Sequence, residues 1–302
     1  MSRLTTKQLN QFIKKEIQNL YEDANPAALD SKRFPLKLSD VASDPVDAAS
    51  DIESGNDQFD HGKDDDVIGV ESASFSVQQL KPSQSSMNIE KALSMALGMI
   101  RDDSPGGDLG AFISNDNHIM DGHHRWVATA MVDPSAEIGG YKVAWPATQL
   151  LAVLNTLTVG KFGVTSGKPA TGGFDQFQEA PIRNQLEKYL ENGAWKMTPE
   201  DVQMTIEKFT NKKGEEAKNA AVEKFVQNLA GASFDLPAGA PSREDMPVID
   251  GNDVLIAANA LRQGEVDVNP PYHVEDPSAQ ESTNNNDNII VERWNKLAGL
   301  IK

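Results

Sequence analysis

The residues with the clearest chemical potential are Asp121-Gly122-His123-His124-Arg125, set within Ile119-Met120-Asp121-Gly122-His123-His124-Arg125-Trp126. A carboxylate, a glycine, two imidazoles and a guanidinium stand in an unbroken run. Phe112-Ile113-Ser114 predicts a strand and His118-Ile119-Met120 its return strand. Asn115-Asp116-Asn117 between them has turn chemistry, because Asn and Asp tolerate the left-handed backbone. Asp121 has the type of a helix N-cap, and Trp126 to Met131 continues as a helix. A helix start presents free N–H groups and the positive end of the dipole, which suits an anion. Arg125 adds a planar fork matched to phosphate oxygens. A cation is unfavourable in a first helical turn, so Arg125 there calls for a compensating negative charge.

The chemistry open to such a set is phosphate binding and phosphate-bond hydrolysis. Arg125 would neutralise developing phosphoryl charge, and His124, or else His123, would position or relay a proton. Adjacent His123 and His124 diverge by about 100° on a helix and do not share one metal. Adding His118 and Asp121 matches no familiar zinc spacing, so the metal set stays unknown. Trp126 reads as core. Gly163-Val164-Thr165-Ser166-Gly167-Lys168 lacks the P-loop order, since Pro169 follows the lysine. The glycine-rich stretch Gly160 to Gly173 around it reads as a mobile loop able to close over a ligand.

Elements on both sides must hold these residues. Phe75, Val77 and Leu80 mark a strand over Ser74 to Leu80, and Lys81-Pro82-Ser83-Gln84 a turn. Asn88 to Ile100 is a predicted helix with Ala92, Leu93, Ala96, Leu97 and Ile100 inward. Tyr141 to Ala144 is a strand, and Ala147 to Leu157 a helix behind Pro146. Further helices are expected over Gln176 to Asn192, Pro199 to Phe209, Glu215 to Leu229 and Asp253 to Leu261, with a linker over Asp235 to Val248. The fold class is therefore α+β. The expected organisation is an amphipathic N-terminal helix (1–21), an acidic flexible linker (22–66), an α+β domain (67–174), a helical region (175–265), a linker (266–288) and a C-terminal amphipathic helix (289–302).

Composition bounds the function classes. The chain has 302 residues, no cysteine and a formal net charge of -17. Neither disulfides nor a thiol nucleophile are available. Between Asp40 and Asp66 stand nine Asp, one Glu and one Lys, so about half of the excess charge lies in one segment. The overall acidity opposes generic nucleic-acid binding and leaves a local anion site open. No run approaches the roughly 20 apolar residues of a spanning helix, and no signal peptide is expected. The expected setting is cytoplasmic, without membrane partners.

The order of strand, Lys81-Pro82-Ser83-Gln84, helix, hairpin and Asp121-Gly122-His123-His124-Arg125 resembles the ParB/sulfiredoxin-like superfamily, and most closely the ParB-like nuclease domain family. The resemblance spans roughly residues 70–160. It implies a nucleotide phosphate site lined by Asp121, Gly122, His123, His124 and Arg125, with Lys81, Pro82 and Gln84 as the facing wall. The ligands implied are ATP, ADP or CTP, with Mg bridging phosphates, and the activity is nucleotide or phosphodiester hydrolysis, with DNA as an alternative substrate. Sulfiredoxins carry a cysteine where His123 stands, so sulfinic-acid reduction is excluded. Free-serine kinases of this fold share the Asp-Gly-His-His-Arg run but carry a catalytic Glu where Gln84 stands, and Gln cannot act as a general base. Chromosome-partitioning ParB proteins retain only Gly122 and Arg125 of the run and add a helix-turn-helix; no basic recognition helix follows Phe174 here. The other expectation is a non-catalytic assembly module. Leu20-Tyr21-Glu22 before an acidic stretch resembles cleavable targeting segments of tailed-phage head proteins. That reading places the chain in a virion or host cytoplasm, as a homo-oligomer or beside a phage structural partner bound through the terminal helices.

Overall fold

A computed structural model describes residues 29–52, 63, 66–169, 172–247 and 251–268. The terminal helices expected at Thr5 to Tyr21 and Ile289 to Ile301 lie outside these residues, as does the phage-type segment ending at Glu22.

The frame is a five-stranded mixed sheet with helices on both faces. Its strands are β1 (Val70–Ser76), β2 (Lys81–Pro82), β3 (Gly107–Ile113), β4 (His118–Asp121) and β5 (Glu137–Val143), in the order β1-β5-β3-β4-β2. β1 runs antiparallel to β5, β5 parallel to β3, β3 antiparallel to β4 and β4 parallel to β2. The β3–β4 hairpin forms where the sequence predicts it, with Asn117 at φ 67. Its first strand is longer than the triplet Phe112 to Ser114, because Gly107 to Ala111 pair with β5. Lys81-Pro82 is not a turn. It is an edge strand paired with His118 and Ile119, and Lys81 N donates to Asn117 O (2.9 Å). An edge accepts Pro82 because proline has no N–H to contribute to a second neighbour.

Side chains alternate across the sheet. Ala111, Ile113 and Ile119 face a core made with α3 (Ile89–Arg101) and α4 (His123–Val132). The inward residues of α3 are those its periodicity marked. Outside these helices pack α6 (Glu179–Asn192), α7 (Pro199–Thr210) and α8 (Gly214–Leu229), whose Leu186, Ile206 and Phe225 belong to the same core. Phe112 and Met120 face the opposite core, made with α5 (Ala147–Phe162) and α9 (Gly251–Arg262). Trp126 is fully buried and its Nε1 donates to Val77 O (2.8 Å), so it serves as core.

Three boundaries differ from expectation. The acidic stretch 22–66 is not simply a linker: α1 (Leu38–Ala42) and α2 (Pro45–Ser50) sit on α5, with Leu38, Val41 and Ala48 buried against Val159. Arg33 anchors this segment by donating to Asp51 (2.7 Å) and Asp267 (2.6 Å). Part of the acidity is thus spent on internal pairing. Residues 266–268 are buried rather than linker. Finally, α5 runs through Gly160 to Phe162, and its Gly163 C-cap starts the loop three residues later than predicted.

Candidate functional site

β4 ends at Asp121, and the chain must turn sharply into α4. Gly122 makes that turn at φ 102, ψ 11, a conformation that L side chains rarely adopt. Gly122 is therefore the N-cap residue, and no side chain caps the helix. This corrects the expected role of Asp121. Its carboxylate takes the Gly122 N–H and pairs with Arg125 Nη2 across one turn (3.0 Å). The negative charge that the position of Arg125 demanded is supplied by Asp121. Burial pushes the Asp121 carboxyl up, and Arg125 opposes that shift.

Both imidazoles point inward and accept hydrogen bonds. Ser83 N donates to His123 Nε2 (3.1 Å), while the Ser83 hydroxyl donates to Ile119 O (2.7 Å). Asn88 N donates to His124 Nε2 (3.2 Å), and Arg243 Nη1 lies 2.9 Å from the same nitrogen. With Nε2 accepting, each ring carries its proton on Nδ1. Burial, followed by the positive charge of Arg243, holds both rings neutral, lowering each from about 6.5 to about 3. A proton relay works best with a pKa near the working pH. His123 and His124 are far from that and are already engaged, so their role here is to hold the 83–88 loop against the start of α4.

The charges around them are mainly positive. Lys91 lies in the first turn of α3, beyond the Asn88 cap. Its amine is lowered by crowding within the protein and then by the charges of Arg243, Lys168 and Arg125, with Asp121 opposing. Arg243, Lys168 and Arg125 thus all act on Lys91, and Asp121 is the carboxylate that opposes them. Among the described residues, Asp121 pairs with Arg125, and no ion pair is formed by Lys91, Lys168 or Arg243. Arg243 is brought in by a short turn at Arg243–Asp245. Its backbone N donates to Ser86 Oγ (2.9 Å), and Ser85 N donates to Pro241 O (2.8 Å). Gly167 N donates to Glu244 O (3.1 Å), which fixes the loop carrying Lys168 beside that turn.

The sequence-predicted residues are only partly brought together. Asp121, Gly122, His123, His124 and Arg125 form one end of the site. Of the expected facing wall, Pro82 and Gln84 are buried and Lys81 lies on the β2 edge. Ser83 between them is the residue that meets an imidazole. Ser83, Asn88, Lys91, Lys168 and Arg243 were not among the predicted site residues. Lys91 carried a legible signal, the same misplaced first-turn cation that singled out Arg125. Arg243 carried none, because it stood in an expected linker. Among the described residues, no three His, Asp or Glu side chains are grouped to hold a metal ion, and no helix is long and apolar enough to cross a membrane.

Compared with known proteins, the chain matches no family model, no curated protein and no solved structure.

Proposed function

We propose that the chain binds the phosphate groups of a nucleotide at the start of α4, on a framework of the ParB/sulfiredoxin-like type. The carrying observation is the convergence of Arg125, Lys91, Arg243 and Lys168 around one carboxylate, beside a helix start with no side-chain cap. Such a cluster is costly without an anion, and a di- or triphosphate supplies several charges at once. ATP, ADP and CTP are the candidate ligands, and Mg would bridge their phosphates without a dedicated protein cage. Arg125 and Arg243 would grip phosphate oxygens, Lys91 and Lys168 would neutralise charge, and His123 and His124 would keep the 83–88 loop in register.

The engaged, neutral imidazoles favour binding over rapid hydrolysis. No side chain in the cluster is placed as a general base except Asp121, which is paired with Arg125. The reading is therefore of a nucleotide-responsive module, with slow phosphate-bond or phosphodiester cleavage by charge neutralisation as the catalytic form of the same site. The test is titration of the full chain with ATP, ADP, CTP and GTP, with and without Mg, alongside phosphate release. Arg125→Ala and Arg243→Ala are each expected to weaken binding at least tenfold. Wild-type affinity in both variants refutes the reading. Fast release that depends on His124 refutes the non-relay role given to the imidazoles.

A further inference from the structure

The sheet has two edges, and they are protected differently. β2 is two residues long and holds Lys81 and Pro82, the length and residue types that keep a sheet from growing. β1 runs for seven residues, Val70-Glu71-Ser72-Ala73-Ser74-Phe75-Ser76, with no Lys, no Pro and an unbroken register against β5. The hydrogen bonds at its two ends fix which way its backbone points. Ala144 N donates to Gly69 O (2.9 Å) and Val77 N to Ala136 O (3.2 Å), so the odd-numbered residues bond to β5. The N–H and C=O groups of Val70, Ser72, Ser74 and Ser76 therefore point away from the sheet. Arg262 Nε donates to Val70 O (2.9 Å). Among the described residues, none bonds to the outward backbone groups of Ser72, Ser74 or Ser76, and Ser72 and Ser74 are exposed.

Two opposite charges flank this edge on one face of the sheet. Arg262 lies over the Tyr141 ring (5.3 Å), and Tyr141 is the β5 neighbour of Ser72. Glu137 is the β5 neighbour of Ser76 and accepts from Ser74 Oγ (2.9 Å). Alternation puts the side chains of Val70, Ser72, Ser74, Ser76, Tyr141 and Glu137 on that same face. Among the described residues, neither Arg262 nor Glu137 is in an ion pair. Apolar surface is open beside Arg262. Val67, three residues before the strand, is 39% exposed, and Leu255 is 46% exposed. Leu255 shares the Arg262 face of α9, because the seven residues between them make close to two helical turns.

We propose that β1 pairs antiparallel with β1 of a second copy of this chain, about a twofold axis at Ala73, joining the two sheets into one. Outward groups must meet outward groups, and this register pairs the whole strand, Val70 with Ser76 and Ser72 with Ser74. Val70 O has a second lone pair for the new bond. Glu71, the one charged residue of the strand, comes opposite Phe75. The two Glu71 residues stand four positions apart, about 13 Å, whereas an in-register parallel pairing would set them side by side. Ser74 of the second copy comes opposite Ser72, so the Glu137 bonded to it arrives level with Arg262, on the same face of the joined sheet. The edge is thus complementary to itself in charge, which selects a second copy over an unrelated strand.

Sedimentation of the full chain over a range of concentrations should show a monomer–dimer equilibrium. Arg262→Glu and Glu137→Arg should each weaken the dimer about tenfold or more, and the double variant, which restores opposite charges, should recover it. Ser74→Pro removes an outward N–H and no bond to β5, so it should abolish the dimer and keep the wild-type melting transition; if that variant does not fold, the charge reversals decide alone. The chain has no cysteine, so single cysteines report the register. Ala73→Cys should give a covalent dimer on oxidation with diamide, because the two positions face each other at the axis. Glu71→Cys should not, because its copies are too far apart to bridge. A wild-type chain that stays monomeric at every concentration overturns the proposal. So does a dimer that withstands both reversals, a double variant as weak as the single ones, or cross-linking from Glu71→Cys equal to that from Ala73→Cys.

Discussion

Lowering the pH from 7.5 to 5 should loosen this protein through its two buried imidazoles. In the folded chain His123 and His124 are neutral acceptors with values lowered to about 3, against about 6.5 when unfolded. A base whose folded value is depressed is protonated more readily by the unfolded chain. Its stabilising contribution is complete above pH 6.5 and falls as the pH drops towards 3. At pH 5, about 1.5 pH units below the unfolded value, protonation favours the unfolded chain by about 1.4 kcal/mol per pH unit, or about 2 kcal/mol per imidazole. The pair together costs about 4 kcal/mol, a large share of the 5–15 kcal/mol typical of a folded domain. Urea unfolding at pH 7.5, 6 and 5 measures this. Other carboxylates titrate in the same range, so the decisive comparison is with His124→Gln, whose amide oxygen can accept from Asn88 N and Arg243. The variant should lose about 2 kcal/mol less than wild type between pH 7.5 and 5. Identical pH dependence in the two proteins, or imidazole NMR titrations near pH 6.5 in the folded wild type, refutes the claim that these rings are locked neutral acceptors.

Gly122→Ala should destabilise by about 1–2 kcal/mol in thermal unfolding, because the space around its Cβ is ordinary and the left-handed backbone at φ 102 is the whole cost. An unchanged melting temperature would show that the turn into α4 has another solution. Gly160→Ala sets a methyl 2.5 Å from Ala48 O and 2.4 Å from Ile52 Cδ1. It should push α2 away from α5, read as faster proteolysis within residues 29–52 at a cost of about 1–3 kcal/mol. Trp126→Phe removes the Nε1 donor and leaves Val77 O buried without it. Chemical denaturation should show a loss of about 1–3 kcal/mol with no change in tripolyphosphate affinity; a change in that affinity would show that Trp126 acts at the site.

Much of the frame is readable locally. The apolar spacing of α3, the Pro199 start of α7 and the Asn-Asp-Asn turn of the hairpin are decided within a few residues, by side-chain period and backbone preference. The same holds for the anion-suited start of α4, since Gly122 and a first-turn arginine are local facts. Local reasoning misjudged Asp121 because a carboxylate before a helix looks alike whether it caps backbone N–H groups or pairs one turn ahead. It misjudged 22–66 because composition counts acidic residues without showing that Asp51 meets Arg33 across 18 residues, or that Asp267 does so across 234. The tertiary structure alone decided what surrounds the motif. Arg243 reaches His124 over 119 residues, and Asn155 holds Leu36 over the same span. Pairings of that separation depend on how the whole chain closes around its two cores, and no short-range pattern records them. The sequence by itself determined a helix start after β4 that carries Gly122 and a first-turn arginine. The fold determined that Lys91, Lys168 and Arg243 come close to that start and that the imidazoles are already occupied.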